Sequence, residues 1–212
     1  MNYFITGTDT DCGKTYVTSL VVRTARAGGL DVIGAKPVCC GPRDDVEALS
    51  AANGGAEALD ALNPIWRQIP AAPRACELLG EPSGDYEAAL TAMRALASRH
   101  EHLLCEGAGG WLVPLRAGYT IADFALALGW PVLVVVGNKL GALNHALLTV
   151  ESVRSRGLPL AGVILNDIAP PEGPAATTNR EILEEALGFR VLAHAGYQAT
   201  ALSLPSLFVD SR

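Results

Sequence analysis

Apolar runs recur along this chain at regular distance, and each is followed by a helical pattern. The stretches "NYFIT" (residues 2–6), "DVIGAKPV" (31–38), "HLLCE" (102–106), "PVLVVV" (131–136) and "LAGVILN" (160–166) read as strands, with "RVLAH" (190–194) as a sixth. Residues 14–27, 44–53, 85–100, 121–129, 142–157 and 177–188 carry apolar residues at helical spacing. Strands with no polar face need cover on both sides. Their alternation with helices predicts an α/β fold: a doubly wound, mostly parallel sheet with helices on both faces, a three-layer sandwich. Residues 54–84, rich in Ala, Gly and Pro, are expected to form loops with one helix near 74–79.

The chain has 212 residues, half of them apolar, so one domain over 1–212 is expected. A net charge of −6 argues against nucleic acid as a partner. The longest apolar run has strand length, and no secretory signal is visible, so no membrane span is expected. Five cysteines, an odd number, point to reduced thiols and a cytoplasmic setting. Cys39 and Cys40 are adjacent, but no second pair stands at zinc spacing.

In such folds ligands lie beyond the carboxyl ends of the strands. The residues with chemical potential fall there. A glycine loop follows the first strand, Lys36 ends the second and Glu106 the third, Lys139 follows the fourth, and Asn166 ends the fifth. The common phosphate loop is G-x-x-x-x-G-K-[ST]. Here five residues, "TDTDC", separate Gly7 from Gly13. The physics survives the extra residue, because backbone N–H groups at the helix start still attract an anion. Lys14 is expected to reach the β- and γ-phosphates, and the Thr15 hydroxyl to ligate Mg²⁺. Glu106 is the better carboxylate for that ion, since it is the only acid ending an apolar strand. Asp44 and Asp45 are alternatives, equally readable as a helix cap and first-turn acid. The helix start after Lys139, "GALNHA", offers further free N–H groups. His145 reads as a packing or capping residue, and His100 and His102 as surface residues flanking a strand. Of sixteen basic residues only Lys14, Lys36 and Lys139 are lysines. A lone ammonium among arginines fits positions where a planar guanidinium does not. The loop alone allows an ATPase or a GTPase. No Asn/Thr-Lys-x-Asp guanine-reading motif is present, and "NKLG" stands where it would lie.

Five ordered motifs carry a resemblance over nearly the full length. They are "GTDTDCGKT" (7–15), "KPVCCG" (36–41), "CEGAGG" (105–110), "KLGALNHALLT" (139–149) and Asn166-Asp167. Together they resemble the dethiobiotin synthetase family of biotin biosynthesis, a P-loop NTPase-like fold. The resemblance implies a ligase that joins 7,8-diaminononanoate, CO₂ and ATP into dethiobiotin, ADP and phosphate. A carbamate attacks the γ-phosphate, and the resulting carbamic–phosphoric anhydride is closed by the second amine. Catalytic roles then fall to Lys36 first, with Lys14, Thr10 and Lys139. The nucleotide would be held by Asp11, Cys12, Gly13, Lys14, Thr15, Tyr16, Asp45, Glu106, Gly107, Ala108, Gly109, Asn166 and Asp167. Thr15, Asp45 and Glu106 would hold Mg²⁺. Thr10, Lys36, Cys40, Gly141, Ala142 and Asn144 would bind the substrate, the last three across the interface of a homodimer. The resemblance implies no nucleic-acid or membrane partner.

Four features depart from the family pattern. Cys40 replaces Ser or Thr, Asp11 replaces Glu, and Arg74 replaces a histidine in an otherwise matching Asn63, Pro64, Pro73 region. The segment "AHAGY" (193–197) stands where the family has an adenine-reading loop. Rival readings are a related ATP-dependent carboxylate ligase, a ParA/MinD-like dimeric ATPase switch, and a degenerate nucleotide-binding module. The ligase relatives carry a fused glutaminase, for which 212 residues leave no room. The switches carry an extra early lysine, absent from this loop.

Overall fold

A computed structural model describes residues 1–208 of the chain. The elements run β1 (Asn2–Gly7), α1 (Lys14–Ala27), β2 (Val32–Ala35), β3 (Val38–Cys40), α2 (Asp44–Ala52), α3 (Leu59–Leu62) and β4 (Ile65–Arg67). They continue with α4 (Pro73–Leu78), α5 (Tyr86–Arg99), β5 (His102–Gly110), β6 (Pro114–Arg116), β7 (Tyr119–Thr120), α6 (Ile121–Leu128) and β8 (Val132–Gly137). The last are α7 (Ala142–Ser155), β9 (Leu160–Asn166), α8 (Gly173–Leu187), β10 (Ala193–Ala195) and a 3₁₀ turn at Pro205–Leu207. The expected unit of 1–212 includes residues 209–212, which lie outside the described residues.

Six strands form one sheet in the order β10-β9-β8-β1-β5-β2, and every neighbouring pair in it is parallel. The α/β sandwich expected from the alternating pattern is therefore the observed fold. Alternate residues of each strand feed two apolar layers. Phe4, Leu103, Val134 and Leu165 pack under α5, α6, α7 and α8. Ile5, Leu104, Val135 and Ile164 pack under α1. The segment after β10, to which the sequence assigns no element, completes that second layer. Leu202, Leu204 and Leu207 are buried there, and the Tyr3 hydroxyl donates to the Leu207 carbonyl at 2.7 Å.

Several elements differ from the sequence reading. The expected strand 31–38 is two strands. β2 lies in the main sheet, while β3 leaves it and pairs with β4 in a separate ribbon. The break falls at Lys36-Pro37. Pro37 has no N–H to continue a ladder, and the Lys36 N–H donates instead to the Leu62 carbonyl at 3.0 Å. β5 runs on to Gly110, so Glu106 lies inside a nine-residue strand, level with Ile5 of β1, and does not end it. The last helix begins at Gly173, ahead of residue 177, and the sixth strand is shifted to Ala193–Ala195. His102 is buried at the start of β5, with its ring against Phe208, and is not a surface residue.

Candidate nucleotide and substrate site

The loop between β1 and α1 takes its shape from a few close approaches. Gly13 is the N-cap of α1 with φ +87°, a left-handed conformation that favours glycine. A β-carbon there would lie 2.1 Å from Asn166 Nδ2. That amide donates to the Cys12 carbonyl at 3.0 Å, so the end of β9 holds the loop against the helix start. Tyr16 is anchored differently: its hydroxyl donates to the Ala199 carbonyl at 2.6 Å. α1 has no side-chain cap and no acid in its first turn. By contrast, Asp85 caps α5, and Thr120 with Asp123 forms a capping box on α6. The first N–H groups of α1 are thus left for an anion. α7 shares the pattern, beginning at Gly141 with φ +88° and no cap. Of its predicted substrate-binding residues, Ala142 is buried, whereas Asn144 is exposed.

Across the loop, charged groups from three elements meet. Glu106 is fully buried. Its Oε1 accepts the Thr15 hydroxyl at 2.7 Å and Lys36 Nζ at 2.8 Å. Lys36 Nζ also donates to Asp45 Oδ2. Of the two alternatives in the sequence, Asp45 faces the site and Asp44 is exposed. Burial alone would lower the Lys36 pKa, but the carboxylates of Glu106 and Asp45 outweigh it and hold the ammonium above its ordinary value. Burial pushes the Asp45 carboxyl up, and the Lys36 charge outweighs that too, leaving it below the ordinary carboxylate range.

Mg²⁺ takes one or two carboxylates, a hydroxyl and substrate oxygens. The residues present fit that requirement. Glu106 Oε2 is buried with no hydrogen-bond partner, the Thr15 hydroxyl bonds the other oxygen of that carboxylate, and Asp45 accepts from the same Lys36 ammonium. Among the described residues no three His, Cys, Asp or Glu side chains form a cage that could hold a metal by themselves.

A cleft of about 490 Å³ opens beside this cluster. Thr10, Asp11, Lys36, Cys40, Ala108 and Gly109 line it, with the 70–73 segment opposite. Asp11 holds φ 57°, which a short polar side chain tolerates. Gly107 does not face the cleft: a β-carbon there would meet Phe4 and Ile121 in the core. The Cys40 thiol contacts Cys76, and burial together with that neighbour pushes its pKa up to about 12. Cys40 is thus a neutral thiol on the cleft wall. All five cysteines are free.

The other two lysines meet elsewhere on the loop. Lys14 Nζ donates to the Asp9 carbonyl at 3.3 Å, and Lys139 Nζ lies 3.5 Å from Asp9 Oδ2. The predicted convergence is therefore two adjoining groups, joined through Thr10. Asp167, beside Asn166, is buried and accepts from Asn138 Nδ2 at 2.6 Å, with His194 Nε2 at 2.9 Å.

Two residues in this arrangement were not singled out for the site by the sequence. Asn63 is buried, and its Nδ2 donates to the carbonyls of Lys36 at 2.9 Å and Ile65 at 3.0 Å. It holds the bend that aims Lys36. Asn53, also buried, bonds both the N–H and the carbonyl of Gly34, tying α2 to β2. Neither signals its role in sequence, because the Lys36 carbonyl and the Gly34 backbone that they hold lie far from them along the chain.

A family model described as an AAA domain matches residues 1–200. The chain is 41% identical over 184 residues to the ATP-dependent dethiobiotin synthetase BioD of Akkermansia muciniphila, covering 87% of this chain and 86% of that one. It is 47% identical over 180 residues to the enzyme of the same name from Anaeromyxobacter dehalogenans, with 83% and 81% covered. Among solved structures, the septum site-determining protein MinD of Pyrococcus horikoshii, complexed with Mg-ADP, superposes with a TM-score of 0.58 at 16% identity, covering 92% of this chain and 82% of that one. The cell division protein FtsY of Thermotoga maritima superposes with a TM-score of 0.59 at 15% identity. There the match covers 94% of this chain and 63% of FtsY. These distant likenesses concern the fold.

Proposed function

The chain belongs to the dethiobiotin synthetase family, and on that premise we propose that it joins 7,8-diaminononanoate and CO₂ at the expense of ATP, giving dethiobiotin, ADP and phosphate. The observation that carries this reading is the position of Lys36. Its ammonium bridges Asp45 and Glu106 at the edge of the cleft, while Thr15 of the phosphate loop bonds the same Glu106 oxygen. A carbamate in the cleft thus meets a fixed positive charge beside the triphosphate.

The reaction needs no protein nucleophile. One substrate amine takes up CO₂ as a carbamate, whose oxygen attacks the γ-phosphate. The second amine then closes the ring and expels phosphate. The protein contributes orientation and charge stabilisation around an anionic transition state. The free N–H groups of α1 cradle the phosphates, and Lys14 exchanges its carbonyl contact for a phosphate oxygen. Lys36 faces the carbamate, and Thr10 lies between the two. Asn166 Oδ1 is buried without a partner, which suits it to receive a hydrogen bond from the nucleotide. Thr15, Asp45 and Glu106 would hold Mg²⁺, which would supply charge neutralisation on the phosphates.

A second copy of the chain completes the substrate site in this reading. Leu140 beside the uncapped start of α7, and Leu112 and Leu148, which line one groove, are exposed apolar residues, and an apolar partner face would cover them. Among the described residues no helix is long and apolar enough to cross a membrane.

The test is phosphate release with Mg-ATP, bicarbonate and 7,8-diaminononanoate, each omitted in turn. The expected result is release that requires both the diamine and bicarbonate. Turnover independent of the diamine would point to an ATP switch, and none at all to an inert nucleotide-binding module.

A further inference from the structure

Asp9 lies between two threonines of the phosphate loop and has no role in the reaction described above. Each of its oxygens is nonetheless engaged. Oδ1 accepts the Thr10 N–H at 2.8 Å. The backbone carbonyl accepts Lys14 Nζ at 3.3 Å. Oδ2 pairs with Lys139 Nζ at 3.5 Å. One residue therefore gathers two of the three lysines in the chain, one from the start of α1 and one from the loop after β8.

The two loop acids are divided between two spaces. Asp11 lines the cleft with Lys36 and Cys40, whereas Asp9 lines an adjoining groove with Trp111 and Leu148. Thr10 borders both. The Asp9–Lys139 pair is roughly half exposed on each side, and an ion pair of that kind adds little to stability. Its effect is directional. A lysine has a flexible four-carbon stem, and without a partner its head samples solvent. Two ammonium groups drawn to one residue also repel each other, and the Asp9 carboxylate offsets that repulsion until an anion arrives.

We propose that Asp9 is a positioning residue that acts through Lys139, holding its ammonium beside Lys14, where negative charge builds during phosphoryl transfer. The role in turnover rests on the dethiobiotin synthetase reading; the role in holding Lys139 does not.

Asp9→Asn, Lys139→Met and the double variant test this with steady-state kinetics. Asparagine keeps the Oδ1 acceptor for Thr10 and removes only the charge. The expected result is a kcat lowered about tenfold by Asp9→Asn in the wild-type background, with KM for Mg-ATP within about twofold, and a loss under about twofold in the Lys139→Met background. Equal losses in both backgrounds would mean that Asp9 merely supports the loop, and would overturn the proposal.

A second measurement is independent of activity. Acylation by an N-hydroxysuccinimide ester, read by mass spectrometry, reports on each lysine of the ligand-free protein. Lys14 and Lys36 are buried, so Lys139 is the responsive site. Asp9→Asn is expected to speed its labelling at least about threefold, leaving the other two unchanged. An unchanged Lys139 rate would overturn the proposal. If the wild type shows no diamine-dependent turnover, the functional reading fails, and the labelling result still decides whether Asp9 holds Lys139.

Discussion

Lys36 donates to Glu106 across 2.8 Å, and neither side chain is more than marginally exposed to water. A buried ion pair of this kind stabilises little on balance, yet breaking it is expensive because the surviving charge has no solvent. Lys36→Ala is expected to destabilise the ligand-free protein by about 3–5 kcal/mol. Mg-ATP is expected to restore part of that loss, since Glu106 then faces a cation again. Urea unfolding with and without Mg-ATP measures both effects; a variant as stable as wild type would mean that Glu106 finds another partner.

Lys36→Arg keeps the charge and changes its shape. The guanidinium is planar and larger than the point charge that fits between Asp45 and Glu106. Turnover is expected to be abolished while nucleotide binding stays largely intact. Fluorescent ADP binding and phosphate release, measured side by side, check the separation. Near-normal turnover would remove Lys36 from the mechanism.

Gly13→Ala introduces a β-carbon at φ +87°, in the space taken by the Asn166 amide. Left-handed strain of this kind costs about 1–3 kcal/mol, and the clash adds to it by displacing Asn166 from the Cys12 carbonyl. Loss of nucleotide binding is expected together with a lower melting temperature. Calorimetric titration with ADP and thermal unfolding give the two numbers.

Asn63→Ala removes both hydrogen bonds at the bend before β4 and leaves the Lys36 carbonyl without its side-chain donor. A loss of about 1–3 kcal/mol in stability is expected. Because the bend aims Lys36 and does not touch the phosphate loop, kcat is expected to fall about tenfold with little change in ADP affinity. Equal losses in kcat and ADP affinity would show a general disturbance of the site.

The charged cluster also sets a pH dependence. The Asp45 carboxyl is lowered in the folded protein, with the Lys36 charge outweighing burial. Its stabilising contribution is complete above the unfolded value, near pH 4, and is lost as pH falls through the lower folded value. Lys36 is raised, with the two carboxylates outweighing burial. Its contribution is complete below the unfolded value of about 10.4 and is lost as pH rises through the folded one. The stability difference between wild type and Asp45→Asn is therefore expected to stay level from about pH 5 to 9 and to shrink below about pH 4. Urea midpoints at pH 7, 4 and 3 measure it, and a difference that grows towards acid would contradict the ion pairing.

Much of the fold was legible because its signals are local. The phosphate loop is a contiguous string, and the apolar strands of the main sheet gave the layers and the carboxyl-end location of Lys14 and Lys36, whereas Glu106 lies inside β5 because the glycine run after it, which reads as loop, continues the strand. What escaped depends on distance along the chain. β4 has three residues and no periodicity of its own, and it exists because β3 pairs with it. The expected strand 31–38 runs across the break because Val38 is as apolar as β2 itself, while the bend at Pro37 is held by Asn63 from another segment. The choice between Asp44 and Asp45 was undecidable from adjacent acids and follows from which one α2 turns towards Lys36. Asp9 looked like part of the motif, and its partner Lys139 comes from the loop after β8.

The strand order has a consequence for how the molecule is born. β1 lies between β5 and β8, and β2 pairs with β5. No strand emerging before His102 can therefore find a main-sheet neighbour among those already synthesised. A ribosome releases the phosphate loop and Lys36 well before the β-scaffold that presents them, and the nascent segment must wait with its apolar strands unpaired. Chaperone demand during translation should accordingly end with the arrival of β5, the strand that also delivers Glu106.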